Sequence, residues 1–187
     1  MGRLIVVVFG LMGSGKSSRS RALGSRLNWP VIHSDAVRKT LAGLAPTTRV
    51  PVEFGAGIYG QEFSEGTYAE MHRLAGEHLK ASPGVILDAS YTRAAARAFV
   101  RDLAQEAGAE ALLVLCECPP EVARGRLGIR RDDPRAISNG RVELFEAQAQ
   151  DFDPLMPEDR PLLRLDTGRK LAVVLDELQA FVESYLE

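Results

Sequence analysis

The sequence predicts an α/β fold with a mostly parallel sheet, because short β-branched runs alternate with longer amphipathic stretches. The apolar runs predict strands at 4–9, 30–33, 85–88, 111–116 and 162–165. The amphipathic stretches predict helices at 16–27, 36–41, 65–81, 92–107, 120–130, 141–149 and 170–186. Thr92 is a candidate N-cap, Gly108 a C-terminal stop and Pro120 a first-turn proline of these helices.

Length and composition agree with one domain over 1–187, since 45% of the residues are hydrophobic and 26% charged. The net charge of −2 provides no global attraction to nucleic acid or anionic lipid. No apolar run reaches membrane-spanning length. Cys116 and Cys118 alternate along a predicted strand and have no further metal-ligand spacing around them, so we expect buried, reduced thiols in a cytoplasmic protein.

The octet Gly10-Leu-Met-Gly-Ser-Gly-Lys16-Ser17 directly follows the first predicted strand and matches the phosphate-binding pattern G-x-x-x-x-G-K-[ST]. Its glycines allow successive backbone N–H groups to point inward at the start of a helix, where they bind anions. Lys16 can then reach the β- and γ-phosphates of ATP, and the Ser17 hydroxyl can hold Mg²⁺. We expect the nucleotide to contact Gly10, Met12, Gly13, Ser14, Gly15, Lys16, Ser17 and Ser18.

Two carboxylates and an arginine lie where the second and third strands end. Asp35 can accept the proton of an attacking hydroxyl, or it can serve as the N-cap of the next helix. Arg38 lies on the same helical face and either binds an acidic group of the acceptor or pairs with Asp35 on the surface. Asp88 either orders the hydration shell of Mg²⁺ or caps a loop.

An arginine-rich stretch predicts a lid over the nucleotide at about 119–140. It contains Arg124, Arg126, Arg130 and Arg131; the alternative is a solvated face paired with Glu121, Asp132 and Asp133. Thr167 follows the last strand and lies either at the adenine or in a tight turn.

The Pro/Gly-rich segment 44–64 predicts a flap over the acceptor. His33 is interpreted as a hydrogen-bonded structural residue rather than a base. Tyr68 and His72 share a helical face and either pack against the sheet or border the acceptor pocket.

With these motifs in place, the chain resembles P-loop kinases of the adenylate-kinase-like group. It is most similar to ATP-binding kinase modules found alone or fused to aminoglycoside-phosphotransferase-like domains, with polynucleotide 5′-hydroxyl kinases as relatives. The resemblance covers residues 10–17, 34–43, 57–59, 85–89, 126–130 and 152–155. The chain departs from it at Ser90 and at 133–136, where relatives carry Asp-Ala-Thr and Asp-Pro-Ser-Asp-Ala.

The resemblance implies a P-loop three-layer sandwich with five parallel strands in the order 2-3-1-4-5, and the use of Mg-ATP. It also implies that Asp35 is the general base and that Arg126 and Arg130 contact the transferred group. It further implies that Arg38 contacts a phosphate of the acceptor, and Tyr59 is expected to bind the acceptor as well. The resemblance does not identify the acceptor.

The expected activity is ATP-dependent phosphorylation of a hydroxyl on a small metabolite or sugar. Two alternatives stay open: a polynucleotide 5′-hydroxyl kinase, with nucleic acid bound only as a 5′-OH end, and an ATP-binding or ATP-hydrolysing regulatory module. No membrane partner is expected. Oligomeric state and the choice between ATP and GTP are not readable from the sequence.

Overall fold

A computed structural model describes residues 2–48, 50, 55–131 and 142–186, without the side chains of 130 and 131. One parallel sheet has the order β2-β3-β1-β4-β5. Its strands are β1 (Arg3–Phe9), β2 (Val31–His33), β3 (Gly84–Asp88), β4 (Ala109–Glu117) and β5 (Leu162–Asp166). The helices are α1 (Lys16–Leu27), α2 (Ser34–Leu41), α3 (Gln61–His78), α4 (Ala94–Glu106), α5 (Pro120–Arg131), α6 (Val142–Gln150) and α7 (Leu171–Glu183).

The central strand β1 is buried on both faces, as expected of a parallel sheet covered by helices. Ile5, Val7 and Phe9 pack on one side with residues of α3 and α4. Leu4, Val6 and Val8 pack on the other side with residues of α1 and α7. The predicted three-layer α/β sandwich and its strand order are therefore confirmed.

Helix starts were the least accurate sequence predictions. Thr92 is not the N-cap of α4, because this helix begins at Ala94 and the Asp153 carboxylate accepts a hydrogen bond from Ala94 N at 2.9 Å. Asp35 is not an N-cap either, because α2 begins at Ser34 and Asp35 lies in its first turn. A capping group from a distant segment cannot be recognised in local sequence. The stop at Gly108 is confirmed, with a φ of 60°.

Segment 44–64 is less of a loop than predicted. Residues 57–59 form a short 3-10 turn, and α3 already begins at Gln61 rather than at 65. Residues 49 and 51–54 of the predicted flap lie outside the described residues, as do 132–140 of the predicted lid region and residue 141. Cys116 and Cys118 are both free of disulfides, but β4 ends at Glu117, so Cys118 does not share a strand face with Cys116.

None of the helices built from described residues is long and apolar enough to cross a membrane.

Cys116 is buried, and this burial raises the pKa of its thiol to about 12. The thiol is therefore protonated near neutral pH.

A fully buried arginine ties α4 to the segment before β5. Arg97 is 0% exposed; its Nε donates to Asp159 Oδ2 at 2.9 Å and its Nη2 to Pro154 O at 2.8 Å. We expect Arg97→Leu to lower the free energy of unfolding by about 3–5 kcal/mol, because it leaves the buried Asp159 carboxylate short of a partner. Urea unfolding measures this. Arg21→Leu on the exposed face of α1 is the control, and an equal loss there would contradict the prediction.

Candidate functional site

The phosphate-binding loop connects β1 to α1 at the centre of the sheet. Gly10 and Gly13 have φ values of 139° and 75°, which a residue with a side chain rarely adopts. A Cβ atom at Gly10 would lie 2.5 Å from Cys116 O, and one at Gly13 would lie 2.6 Å from Ala123 O. Glycine is therefore required at both positions, and the loop is fitted tightly between β4 and α5.

Side chains from distant segments hold the loop in shape. Thr167 Oγ1 donates to Ser14 O at 2.5 Å, and Arg126 Nη1 lies 3.4 Å from Gly13 O. Lys16, the first residue of α1, has its Nζ 3.3 Å from Leu11 O, so its ammonium curls back over the loop. The loop is thus preorganised, with cations beside it.

Two arginines meet at the carbonyl of Thr167. Arg126 Nη2 donates to this oxygen at 2.7 Å and Arg19 Nη2 at 2.9 Å. Burial lowers the pKa of Arg19, and the charge of Arg126 lowers it further. Sequence reasoning identified Arg126 and Thr167 but missed Arg19. The only available signal was a charged residue among the buried positions of α1.

The carboxyl ends of β2 and β3 are joined by a polar pair. His33 Nδ1 lies 2.6 Å from Asp88 Oδ2, and Asp88 is 4% exposed. His33 is therefore hydrogen-bonded, as interpreted from the sequence. Asp88 Oδ1 is buried and has no hydrogen-bond partner among the residues that the structure describes. A buried carboxylate oxygen left in this state suits a hydrated cation.

The oxygens of Asp88 and Ser17 fit Mg²⁺ held mainly by water and phosphate. No cluster of three or more His, Cys, Asp or Glu residues lies close enough to cage a metal among the described residues. Mg²⁺ bound through one or two protein oxygens plus substrate phosphates does not require such a cage. The donor set therefore suits a phosphate-bound ion.

Arg38 on α2 is buried rather than on the surface. Its Nη1 donates to Ile58 O at 2.5 Å and to Ser64 Oγ at 3.0 Å, and its guanidinium lies 4.9 Å from the centroid of the Tyr59 ring. Only 7% of Arg38 is exposed, so the alternative of a surface ion pair with Asp35 is wrong. Arg38 fastens the 3-10 turn at 57–59 and the first turn of α3 onto α2.

Asp35 lies in the first turn of α2, one residue beyond the start of the helix. Burial of the phenol raises the pKa of Tyr68. Two nearby charges have smaller effects on this pKa: Arg38 lowers it and Asp35 raises it. Tyr68 Oη accepts a hydrogen bond from Tyr91 N at 3.3 Å. Asp35 and Arg38 thus lie near α3, on the β2 side of the sheet.

Tyr68 and His72 pack against their neighbours, which is the first of the two alternatives predicted from the sequence. The His72 ring stacks on Phe99 at 4.8 Å between centroids, and burial lowers the pKa of His72 to about 4. This imidazole is therefore neutral near pH 7. An open cavity of about 620 Å³ lies elsewhere, at the end of α2 and the start of α3. It is lined by Leu41, Gly57, Gly60, Gln61, Glu62, Phe63 and Gly66.

The two lid arginines whose side chains are described, Arg124 and Arg126, contact different partners. Arg126 contacts the loop and Thr167, so for this residue the alternative of a solvated helix face is wrong. Arg124 instead forms an ion pair with Glu146 of α6. The side chain of Arg130, and Asp132 and Asp133, lie outside the described residues.

Comparison with known proteins adds to this geometry. A family model described as an AAA domain, AAA_33, matches residues 5–155. Curated proteins give no match. The solved structures compared below share less than 25% sequence identity with the chain, so they are evidence for its fold alone.

Three solved structures illustrate the similarity. A gluconokinase from Sinorhizobium meliloti has a TM-score of 0.64 and 21% identity, covering 99% of this chain and 93% of that one. The Chaetomium thermophilum protein Kti12 in complex with ADP-AlF3 has a TM-score of 0.64 and 22% identity, with coverage of 95% and 97%. A shikimate kinase from Aquifex aeolicus has a TM-score of 0.59 and 18% identity, with 97% of each chain covered.

Proposed function

The chain belongs to the AAA_33 family of AAA domains, and on that premise we propose that it is an ATP-dependent kinase acting on a hydroxyl of a small metabolite or sugar. The observation that carries the proposal is the combination of a preorganised phosphate loop with an acidic helix start. The loop holds Lys16 and Arg126 beside it. Asp35 lies at the start of α2, beyond a strand that ends on the same edge of the sheet.

On the donor side, the loop N–H groups and the cations bind the phosphates of ATP. Lys16 and Arg126 stabilise the negative charge that develops on the transferred phosphoryl group, and Arg130 is assigned the same role from sequence. Ser17 and Asp88 would hold Mg²⁺, which neutralises and orients the β- and γ-phosphates. Thr167 keeps Arg126 in place through its carbonyl and hydroxyl oxygens.

On the acceptor side, Asp35 accepts the proton of the attacking hydroxyl as the new bond to the γ-phosphorus forms and the bond to the bridging oxygen of the β-phosphate breaks, releasing ADP. Arg38 shapes this side by holding Ile58 and Ser64. Both contacts are made by Nη1, whereas Nε is buried and has no hydrogen-bond partner among the described residues, so Arg38 keeps a donor for a hydroxyl or an acidic group of the acceptor. Direct contact between Arg38, or Tyr59, and the acceptor stays part of the proposal.

Transfer of label from γ-labelled ATP tests the function. The purified protein is incubated with sugars and polyols, other small hydroxyl compounds, and 5′-OH oligonucleotides. We expect label on one class of small hydroxyl compound. Label only on oligonucleotides would favour a 5′-hydroxyl kinase, and release of inorganic phosphate with no labelled acceptor would favour a hydrolysing regulatory module. Either result would overturn the proposal.

A further inference from the structure

A side chain of α6 contacts the phosphate-binding loop. Gln148 Oε1 accepts a hydrogen bond from Met12 N at 2.6 Å, although 136 positions separate the two residues. The main-chain donor fixes the orientation of the carboxamide, because only its oxygen can accept. Nε2 keeps both of its N–H donors, and within the described part of the chain it donates to no protein acceptor.

Packing holds α6 against the loop. Met12 forms a buried apolar cluster with Ala123, Leu127 and Phe145. Arg124 reinforces the contact between α5 and α6, since it pairs with Glu146 and its guanidinium lies 5.4 Å from the centroid of the Phe145 ring. The position of Gln148 is therefore set by α5 and by the loop itself.

The residue of α6 that meets the loop is neutral, although the helix also carries carboxylates. Glu143 and Glu146 are exposed, whereas Gln148 is half-buried. A carboxylate at 148 would accept the same hydrogen bond from Met12 N, but it would bring negative charge to a site built for phosphate. A carboxamide instead offers N–H donors there.

We propose that Gln148 binds the terminal phosphate of the bound nucleotide, with Oε1 on Met12 N and Nε2 donating to a γ-phosphate oxygen. The inference rests on the proposed function, because it requires a nucleoside triphosphate on the loop. Gln148 thereby distinguishes a triphosphate from a diphosphate. It also links the helix that follows the lid region to the state of the nucleotide.

Nucleotide affinities test this role. Calorimetry measures the Kd of the non-hydrolysable ATP analogue AMP-PNP and of ADP, both with Mg²⁺, for wild type, Gln148→Glu and Gln148→Ala. We expect both variants to raise the ratio of the AMP-PNP Kd to the ADP Kd by about tenfold, the effect of losing one hydrogen bond to a charged group. Gln150→Glu, on the exposed end of the same helix, should keep the wild-type ratio.

The glutamate variant separates ligand binding from a structural clamp, since it can still accept from Met12 N. If Gln148 only fastens α6, Gln148→Glu will keep the wild-type ratio and wild-type thermal stability, which would overturn the inference. An unchanged ratio in both variants would overturn it as well. A wild-type protein that bound neither nucleotide would contradict both this inference and the proposed function.

The assay contains no acceptor, so the two proposals fail separately. Binding with the expected ratio but no labelled acceptor would contradict the kinase function and leave the role of Gln148 standing. Phosphoryl transfer with an unchanged ratio in Gln148→Glu would contradict only the role of Gln148.

Discussion

Replacing Lys16 with alanine is expected to lower kcat/KM for phosphoryl transfer by about 10³-fold or more. The ammonium lies over the loop, with Nζ 3.3 Å from Leu11 O, and can move to the oxygens of the terminal phosphates. Alanine removes a positive charge at the point where negative charge develops in the transition state. Initial rates with γ-labelled ATP and the acceptor identified by label transfer measure the effect.

Lys80→Ala is the matched control for this substitution, because Lys80 is exposed just beyond the end of α3. It removes the same charge from the protein without touching the loop, and we expect wild-type kcat/KM. A folded Lys16→Ala protein with the wild-type value would show that phosphate transfer does not take place on this loop. Comparable thermal melting of the two variants establishes that folding is intact.

The fold was predictable because a parallel strand that is buried on both faces appears in the sequence as a short continuous run of apolar residues. In β1 every residue from Leu4 to Phe9 is buried, and this produces a continuous apolar run. The start of α4 was not predictable, since Asp153 caps it from another segment. Local patterns identify what an element buries, whereas its ends depend on partners brought in by the fold.

The residues of the candidate site likewise fall into those that a local motif identifies and those that only the folded structure brings together. The loop from Gly10 to Ser17 was readable because its function requires contiguous residues at fixed spacing. Arg19 and Gln148 were missed, because neither belongs to a local motif and each contacts a residue more than a hundred positions away. Arg38 was found by spacing, but its burial on Ile58 and Ser64 depends on how 57–64 folds over α2.

Asp35→Asn is expected to lower kcat by about 10²–10⁴-fold while leaving the affinity for ATP at the wild-type value. Asparagine has nearly the same shape but cannot accept a proton from the attacking hydroxyl. Asp35 lies in the first turn of α2 and is not one of the residues of the loop that binds the phosphates. The substitution therefore removes proton transfer without removing a phosphate contact. Single-turnover rates and calorimetric ATP binding measure the two quantities separately.

Asp102→Asn, an exposed residue of α4, makes the same chemical change far from the site and should retain wild-type kcat. If Asp35→Asn retained wild-type kcat, the attacking hydroxyl would have to lose its proton by another route, and Asp35 would not be the base. If ATP affinity fell in parallel with kcat, the charge of Asp35 would act on the donor site instead. A large loss of kcat at unchanged ATP affinity is the result that distinguishes an acceptor-side base from both.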